Sequence, residues 1–399
     1  MKLRLICGLA GWVAAATLCS ATAEAVRRHE QAAHSRDATA LAVGSRVADW
    51  QLAHMDNFDY VGLEAHRQDT QAPRDWVQAA FYIGLTRFAD ASGDSRYTAA
   101  VLSHGTAEGW GFDSRPRHAD ADATGSVWIW AAERTHDAAK LIPTRARFDA
   151  VLTNPSTVSL EFAPATSGAA PDCQARWCWS DALFMAPPTW IALAKATADA
   201  RYLVHADREF WATTDYLYDR GEHLYYRDSR FISQRDPQGR KIFWGRGNGW
   251  VFAGLARILA DLPADHPSRP RYESLFKQMA DRVVGLQGAT GCWPVSLLEP
   301  QQTPETSGTG FFVYGLAWGI HHGLLPQRRY RHSVDRGWRA LAAAVQPDGK
   351  LGWVQRIGEG PEQVTADDTQ LYGVGAFLLA AGEVSGLPSP RLLTGPLSP

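Results

Sequence analysis

Five stretches of this chain are apolar on nearly every side of a helix: Trp76 to Leu85, Ala182 to Lys195, Trp250 to Leu259, Phe311 to Ile320 and Leu371 to Ala381. A helix without a polar face has to be buried on most of its sides. Between these lie segments such as Tyr272 to Leu286, with apolar residues at helical spacing beside Lys277, Gln278 and Asp281. Such segments suit an outer layer with one face in water. Alternation of the two kinds predicts concentric helical layers, which close naturally into a toroid. A loose repeat points the same way. An Arg-Tyr pair follows a polar turn and opens a helix at Arg96-Tyr97, Arg201-Tyr202, Arg271-Tyr272 and Arg329-Tyr330. The stretch from Gln287 to Trp293 is echoed by that from Gln346 to Trp353. An array of helical hairpins is the expected architecture. Short loop strands are expected at Leu224-Tyr225-Tyr226 and Leu160-Glu161-Phe162.

The chain divides into three parts by composition. Lys2 and Arg4 precede an apolar run from Leu5 to Leu18, and Ala23-Glu24-Ala25 offers a small-x-small cleavage site. Residues 1–25 therefore read as a signal peptide, too short for a stable membrane span, and export is expected. Residues 26–70 read as a polar leader and a first amphipathic helix. Residues 71–390 lack a Gly/Ser- or Pro-rich linker and are expected to form one domain. No later segment is long and apolar enough to cross a membrane.

Net charge is −2, which gives no basic excess for nucleic acid. Removal of the signal peptide takes Cys7 and Cys19 with it and leaves Cys173, Cys178 and Cys292. In an oxidising compartment the first two can pair across a short loop; otherwise all three are free thiols. No Cys/His cluster has zinc spacing, so no metal and no other cofactor is expected. Sixteen Trp exceed ordinary core needs. Each either fills the core or offers a flat ring on which the apolar face of a sugar stacks.

Four clusters carry the candidate chemistry, each just before or at the opening of an apolar helix. The first is His118-Ala-Asp120-Ala-Asp122, ahead of Ser126 to Glu133, where Asp is either a helix cap or a functional acid. The second is Trp179-Ser180-Asp181, leading into a fully apolar run. Loss of water there raises a carboxyl pKa and makes it an acid usable near neutral pH. The third is Trp244-Gly-Arg246-Gly-Asn-Gly-Trp250. Two rings and a guanidinium in one Gly-rich loop suit an anionic sugar. The fourth is Glu305-Thr-Ser-Gly-Thr309, which is either a capping segment or a source of sugar-binding hydroxyls. His321-His322 close a helix, and no Gly-x-Ser-x-Gly elbow of a serine hydrolase is present.

Taken together these residues resemble glycoside hydrolase families 88 and 105, the unsaturated glucuronyl and rhamnogalacturonyl hydrolases, with the likeness to family 105 the closer. The likeness rests on Trp179 to Pro188, Trp244 to Trp250 and Glu305 to Thr309 running into Tyr314 to Gly319, with weaker matches at Trp76 to Tyr82 and Tyr372 to Phe377. It implies an all-α (α/α)6 toroid with a few short loop strands, no metal and no organic cofactor. It also implies removal of a 4,5-unsaturated galacturonyl residue from the non-reducing end of lyase-generated pectic oligosaccharides. In the family an Asp protonates C4 of the double bond, water adds at C5, and the hemiketal opens to release the sugar.

By this resemblance Asp181 is the general acid/base. Asp120 is the second Asp, placed by its distance to Gly125, with Asp122 an alternative. Trp179, Trp244, Arg246 and Trp250 line the sugar subsite, with Arg246 on the uronate carboxylate, and Tyr82 and Thr309 join them. Arg227 stands where other relatives carry a sugar-contacting His. The expected partner is a small oligosaccharide. The alternatives are an unsaturated glucuronyl hydrolase on other fragments and an α/α-toroid epimerase or lyase; an epimerase would want a His pair in the cavity.

Overall fold

Each apolar segment enters an inner helix of a closed ring, although that from Ala182 to Lys195 is broken at Ala186, ahead of Pro187-Pro188. The computed structural model describes residues 40–61, 72–163, 172–299 and 304–387. In chain order its helices are α1 (40–53), α2 (Trp76–Ser92), α3 (Ser95–Ala107), α4 (Ala119–Thr135), α5 (Ile142–Thr153), α6 (Ala182–Met185) and α7 (Pro187–Thr197). They continue with α8 (Ala200–Leu217), α9 (Arg230–Ser233), α10 (Gly245–Asp261), α11 (Arg269–Val284), α12 (Thr306–His321), α13 (Gln327–Ala343) and α14 (Leu371–Ser385). The expected signal peptide at 1–25 and the leader up to residue 39 lie outside the described residues.

α2 packs on α4, α4 on α7, α7 on α10, α10 on α12, α12 on α14, and α14 back on α2. This closes a ring of six inner helices, and the chain has the (α/α)6 toroid fold. The outer layer is α1, α3, α5, α8, α11 and α13, each packed against its inner neighbours. Where α2 meets α14 the two backbones touch. A Cβ on Gly84 would lie 2.3 Å from the carbonyl oxygen of Gly375, and one on Gly375 would lie 2.2 Å from that of Ala80. Only glycine allows that approach.

The Arg-Tyr repeat has a structural cause. Arg96 and the Tyr97 hydroxyl reach Asp49 of α1, at 3.3 and 3.0 Å. Arg201 and Tyr202 reach Asp149 of α5 at 3.3 and 2.9 Å. Arg271 pairs with Asp215 of α8 at 2.7 Å, and Arg329 and Tyr330 both reach Asp281 of α11. Each pair staples one outer helix to the next. Exposed ion pairs contribute about 0–1 kcal/mol, so their value lies in fixing register rather than in bulk stability.

Loop strands are fewer than expected. β1 (Tyr218–Asp219) pairs antiparallel with β2 (Leu224–Tyr225), as Tyr218↔Tyr225 and Asp219↔Leu224. Leu160 to Phe162 is not a strand. The Phe162 N–H donates to Ser229 Oγ at 2.8 Å instead of to a ladder, and its ring is taken up by Arg227 and Arg230.

Candidate active site

The N-terminal ends of α2, α4, α6 and α10 converge on one end of the ring, and a cavity of about 260 Å³ opens there. Trp76, Trp179 and Trp244 give it aromatic walls, Asp120 and Asp181 its carboxyls, and Arg115, Arg227 and Arg246 its cations. The loop carrying Ile357, Gly358 and Glu359 closes one side. Helix N-termini add partial positive charge to this end, which favours an anionic ligand.

The first acidic cluster is helical rather than ahead of a helix. His118 is the cap of α4, its Nδ1 accepting the Asp120 N–H at 3.3 Å. Asp120 and Asp122 thus sit in the first turn, about 200° apart around the axis. Asp120 faces the cavity. Asp122 faces outward, where it accepts from Arg147 Nε at 3.0 Å and Trp190 Nε1 at 2.9 Å. It is a buried structural partner of the outer layer and not a cavity residue.

Asp181 occupies the cap position of α6 yet makes no capping hydrogen bond. Its Oδ2 accepts from Ser180 Oγ at 2.8 Å, and Trp179 and Met185 line the cavity beside it. Burial raises its pKa, while Arg227, the Ser180 hydroxyl and Arg246 pull it down. Burial also pushes Asp120 up to about 7, with Arg115 lowering it and Asp181 raising it further. Burial holds His118 down at about 4, so its ring is neutral at ordinary pH.

A third carboxyl is present that the sequence does not single out. Burial pushes Asp75 up to about 7, with the Asp120 charge adding to the rise. Its Oδ1 has no hydrogen-bond partner. One guanidinium, that of Arg115, serves Asp113 at 2.6 Å, Asp75 at 3.3 Å and Asp120 at 3.9 Å.

The Trp244 to Trp250 segment is not a loop. α10 starts at Gly245, where a Cβ would lie 2.3 Å from the Pro294 carbonyl oxygen, so the glycine serves packing. Part of the Arg246 guanidinium is already engaged: its Nη1 and Nη2 donate to the backbone carbonyls of Gln355 and Arg356, at 2.7 and 2.9 Å. The rings of Trp244 and Tyr372 flank it at 4.4 and 4.8 Å. Arg246 lines the cavity, but its two terminal nitrogens clamp the 353–359 loop. Trp244 Nε1 and the Gln355 side chain, 2.9 Å apart, complete that clamp.

Three further expected contacts lie off the cavity. Trp250 is buried among Trp76, Phe184, Phe311 and Tyr372, and supports Trp76 from behind. Tyr82 stacks on His104 of α3 at 4.0 Å. Thr309 is fully buried, donating to the Glu305 carbonyl at 2.6 Å and accepting the Trp293 N–H at 3.0 Å. Glu305 is the cap of α12 and also accepts the Gln355 N–H at 3.2 Å, so this segment anchors the clamped loop.

Sequence reasoning misses the lining residues Arg115, Gln174 and Glu359. Arg115 and Glu359 come from irregular loops and Gln174 from a one-turn 3-10 helix, Asp172–Arg176, all too short for periodicity to carry information. Cys173 and Cys178 are disulfide-bonded, bracing the loop that holds Gln174 and runs into Trp179. Cys292 is free and buried. His321 and His322 end α12 and do not line the cavity. Among the described residues no group of three His, Cys, Asp or Glu is arranged to hold a metal ion, and no helix is long and apolar enough to cross a membrane.

The sequence profile of Glycosyl Hydrolase Family 88 matches residues 43–387. The chain is 42% identical over 358 residues to the unsaturated 3S-rhamnoglycuronyl hydrolase of Alteromonas sp. strain LOR, covering 88% of this chain and 86% of that protein. It is 40% identical to the protein of the same name from Formosa agariphila, covering 80% and 87%. Among solved structures it is similar to a family 88 glycosyl hydrolase from Bacteroides vulgatus, with a TM-score of 0.74, 27% identity and coverage of 88% and 99%.

Proposed function

Because this chain belongs to Glycosyl Hydrolase Family 88, we propose that its cavity removes a 4,5-unsaturated uronyl residue from the end of a lyase-generated oligosaccharide in which that residue is carried by rhamnose. The names of the two relatives join rhamnose to a glycuronyl unit. The galacturonyl reading of the sequence shares that linkage. The enzyme class is glycoside hydrolase.

One observation carries the proposal. Asp181 is a carboxyl with a raised pKa in a small aromatic-walled cavity, with a second raised carboxyl, Asp120, coupled to it. The alkene carbon C4 is a weak base, so its protonation needs a donor kept protonated and held close with little water. Asp181, held by Ser180 beside Trp179, donates its proton to C4. Positive charge develops at C5 and on the ring oxygen. The carboxylate left on Asp181 then takes a proton from the water that adds at C5. The hemiketal opens the ring, and the hemiacetal left at C1 releases the leaving sugar. Asp120 keeps a negative charge or a proton near the developing cation, depending on pH. Ordinary glycosidases instead place two carboxyls across the C1–O bond. The size of the cavity suits one sugar ring rather than a long groove.

The test uses the unsaturated uronyl-rhamnose disaccharide and follows loss of its near-ultraviolet absorbance. Wild type is expected to consume it and to leave the saturated disaccharide intact. Asp181→Asn is expected to lose at least about a thousandfold in kcat while remaining folded. Cleavage of the saturated compound at a comparable rate would refute hydration of the double bond as the route. Export is part of the same proposal. The Cys173–Cys178 disulfide fits an oxidising compartment, and the amino terminus of the mature protein, expected near Val26, tests it.

A further inference from the structure

The cavity's three guanidiniums differ in what they have left to give. Arg246 has both terminal nitrogens on backbone carbonyls. Arg115 is shared among Asp75, Asp113 and Asp120. Arg227 is only 7% exposed, and its Nε–H is buried without a partner. An unpaired charged donor at that depth is costly unless a ligand meets it. Its surroundings hold it rigidly. Nη1 donates to the fully buried Asp228 at 2.7 Å, Phe162 packs beneath the guanidinium at 5.0 Å, and the Arg227 carbonyl accepts the Ser180 N–H at 2.8 Å. That last bond ties Arg227 to the residue next to Asp181.

Glu359 stands at the rim and is half exposed. It is bound to Arg230 at 2.8 Å but only approaches Arg227 Nη2, at 3.9 Å, beyond hydrogen-bond range. Arg230 has Asp228 at 2.7 Å as well, so Glu359 keeps a firm partner without Arg227.

We propose that Arg227 forms an oxyanion-binding subsite of this cavity, offering Nε–H and Nη2 to an acidic group of the substrate, with Glu359 as the standing counter-charge which that group supplants. This rests on the hydrolase reading above and deepens it. The shared chemistry is a planar or tetrahedral oxyanion, which a rigid guanidinium matches better than an ammonium. Two sources of such a group are distinguished by experiment: the uronyl carboxylate, and a sulfate ester where the leaving rhamnose carries one.

The experiment compares kcat/KM on three substrates for wild type, Arg227→Lys and Glu359→Gln. They are the unsaturated uronyl-rhamnose disaccharide, its uronamide, and its counterpart sulfated on rhamnose. Each ratio of charged to neutral substrate is taken within one enzyme, so any effect of Arg227 on Asp181 cancels. In Arg227→Lys one ratio is expected to fall on the order of tenfold or more. The carboxylate ratio falling identifies the uronyl group; the sulfate ratio falling identifies the leaving sugar. In Glu359→Gln, KM for the group concerned is expected to drop severalfold. Both ratios unchanged in Arg227→Lys, or no fall of KM in the exposed-site variant Glu359→Gln, would overturn the subsite. The Glu359 variant decides the matter alone if Arg227→Lys does not fold. If wild type consumes none of the three substrates, the hydrolase reading itself has failed.

Discussion

Asp120→Asn tests the electrostatics of the cavity through stability, independently of substrate. Burial raises Asp120 from 3.8 to about 7. Between those values the folded state holds a proton that the unfolded chain has released. Stability is therefore full at low pH and is lost as pH rises through the window from about 4 to about 7. Three units at ~1.36 kcal/mol each give a cost of roughly 4 kcal/mol above pH 7. Asparagine keeps the shape and removes the ionisation. It also withdraws a carboxylate from Arg115, at 3.9 Å, and from His118, at 3.6 Å, but neither contact is close. The net expectation is a variant about 2–4 kcal/mol more stable than wild type at pH 8, with that advantage gone near pH 4. Asp75 moves the same way, since the Asp120 charge contributes to its raised value. The assay is urea unfolding followed by tryptophan fluorescence at pH 4.5, 6 and 8, fitted as two-state. A difference between variant and wild type that stays constant across those pH values would show that Asp120 does not titrate in the fold as described. Turnover is expected to be lost in the same variant, a trade of stability for function common at catalytic sites.

Three other outcomes follow from the contacts. Asp122→Asn weakens the buried contact to Arg147 and is expected to destabilise, although burial raises Asp122 to about 6 and so offsets part of the loss at neutral pH, while KM of the folded protein stays within about twofold; a large rise in KM would place Asp122 in the site. Replacement of Cys173 and Cys178 by Ser removes a bridge of sequence separation 5 and is expected to cost about 2 kcal/mol. It also raises KM by loosening Gln174 and Trp179, and unchanged kinetics would detach the bridge from the cavity. Arg246→Lys gives up the paired contacts to the carbonyls of Gln355 and Arg356. Faster amide exchange across 353–359 is expected, and unchanged exchange would contradict the clamp.

Much of the toroid is legible in the sequence because burial leaves a mark in composition. The apolar segments of α2, α7, α10, α12 and α14 have no polar stripe, and all lie in the inner ring. The sixth inner helix, α4, is marked only from Ser126 onward, because Asp120 and Asp122 in its first turn look like a preceding loop. Its polar turn is the cavity-facing end of an inner helix. The same ambiguity affects Gly245 to Gly249. Glycine usually reads as loop, but here it lets α10 sit against the Pro294 carbonyl and the start of α12. Asp181 is legible, since an acid set between Trp179 and an apolar run is forced out of water and its ionised form is disfavoured. The roles of Arg246 and Arg227 are not. Sequence shows that a guanidinium is present, and only geometry shows which of its donors are already engaged.

The placement of charge in the cavity bears on why it suits an acid-initiated reaction. Asp75, Asp113 and Asp120 surround one guanidinium, and Asp181 lies near two others, Arg227 with Nη1 on Asp228 and Arg246 with Nη1 and Nη2 on backbone carbonyls. In a medium that disfavours bare charge, an excess of carboxyls over available cations is relieved by keeping protons. Both Asp75 and Asp120 are raised to about 7, by burial first, with the Asp120 charge adding to the rise of Asp75 and the Asp181 charge to that of Asp120. Protonation of an alkene carbon needs a proton already resident at the site, because a carbon base cannot draw one efficiently from water at neutral pH. A site with balanced ion pairs would hold its carboxylates ionised and have nothing to donate. The crowding of acids around Arg115 thus favours protons on Asp75 and Asp120 at this end of the ring, while Asp181 is raised by its own burial.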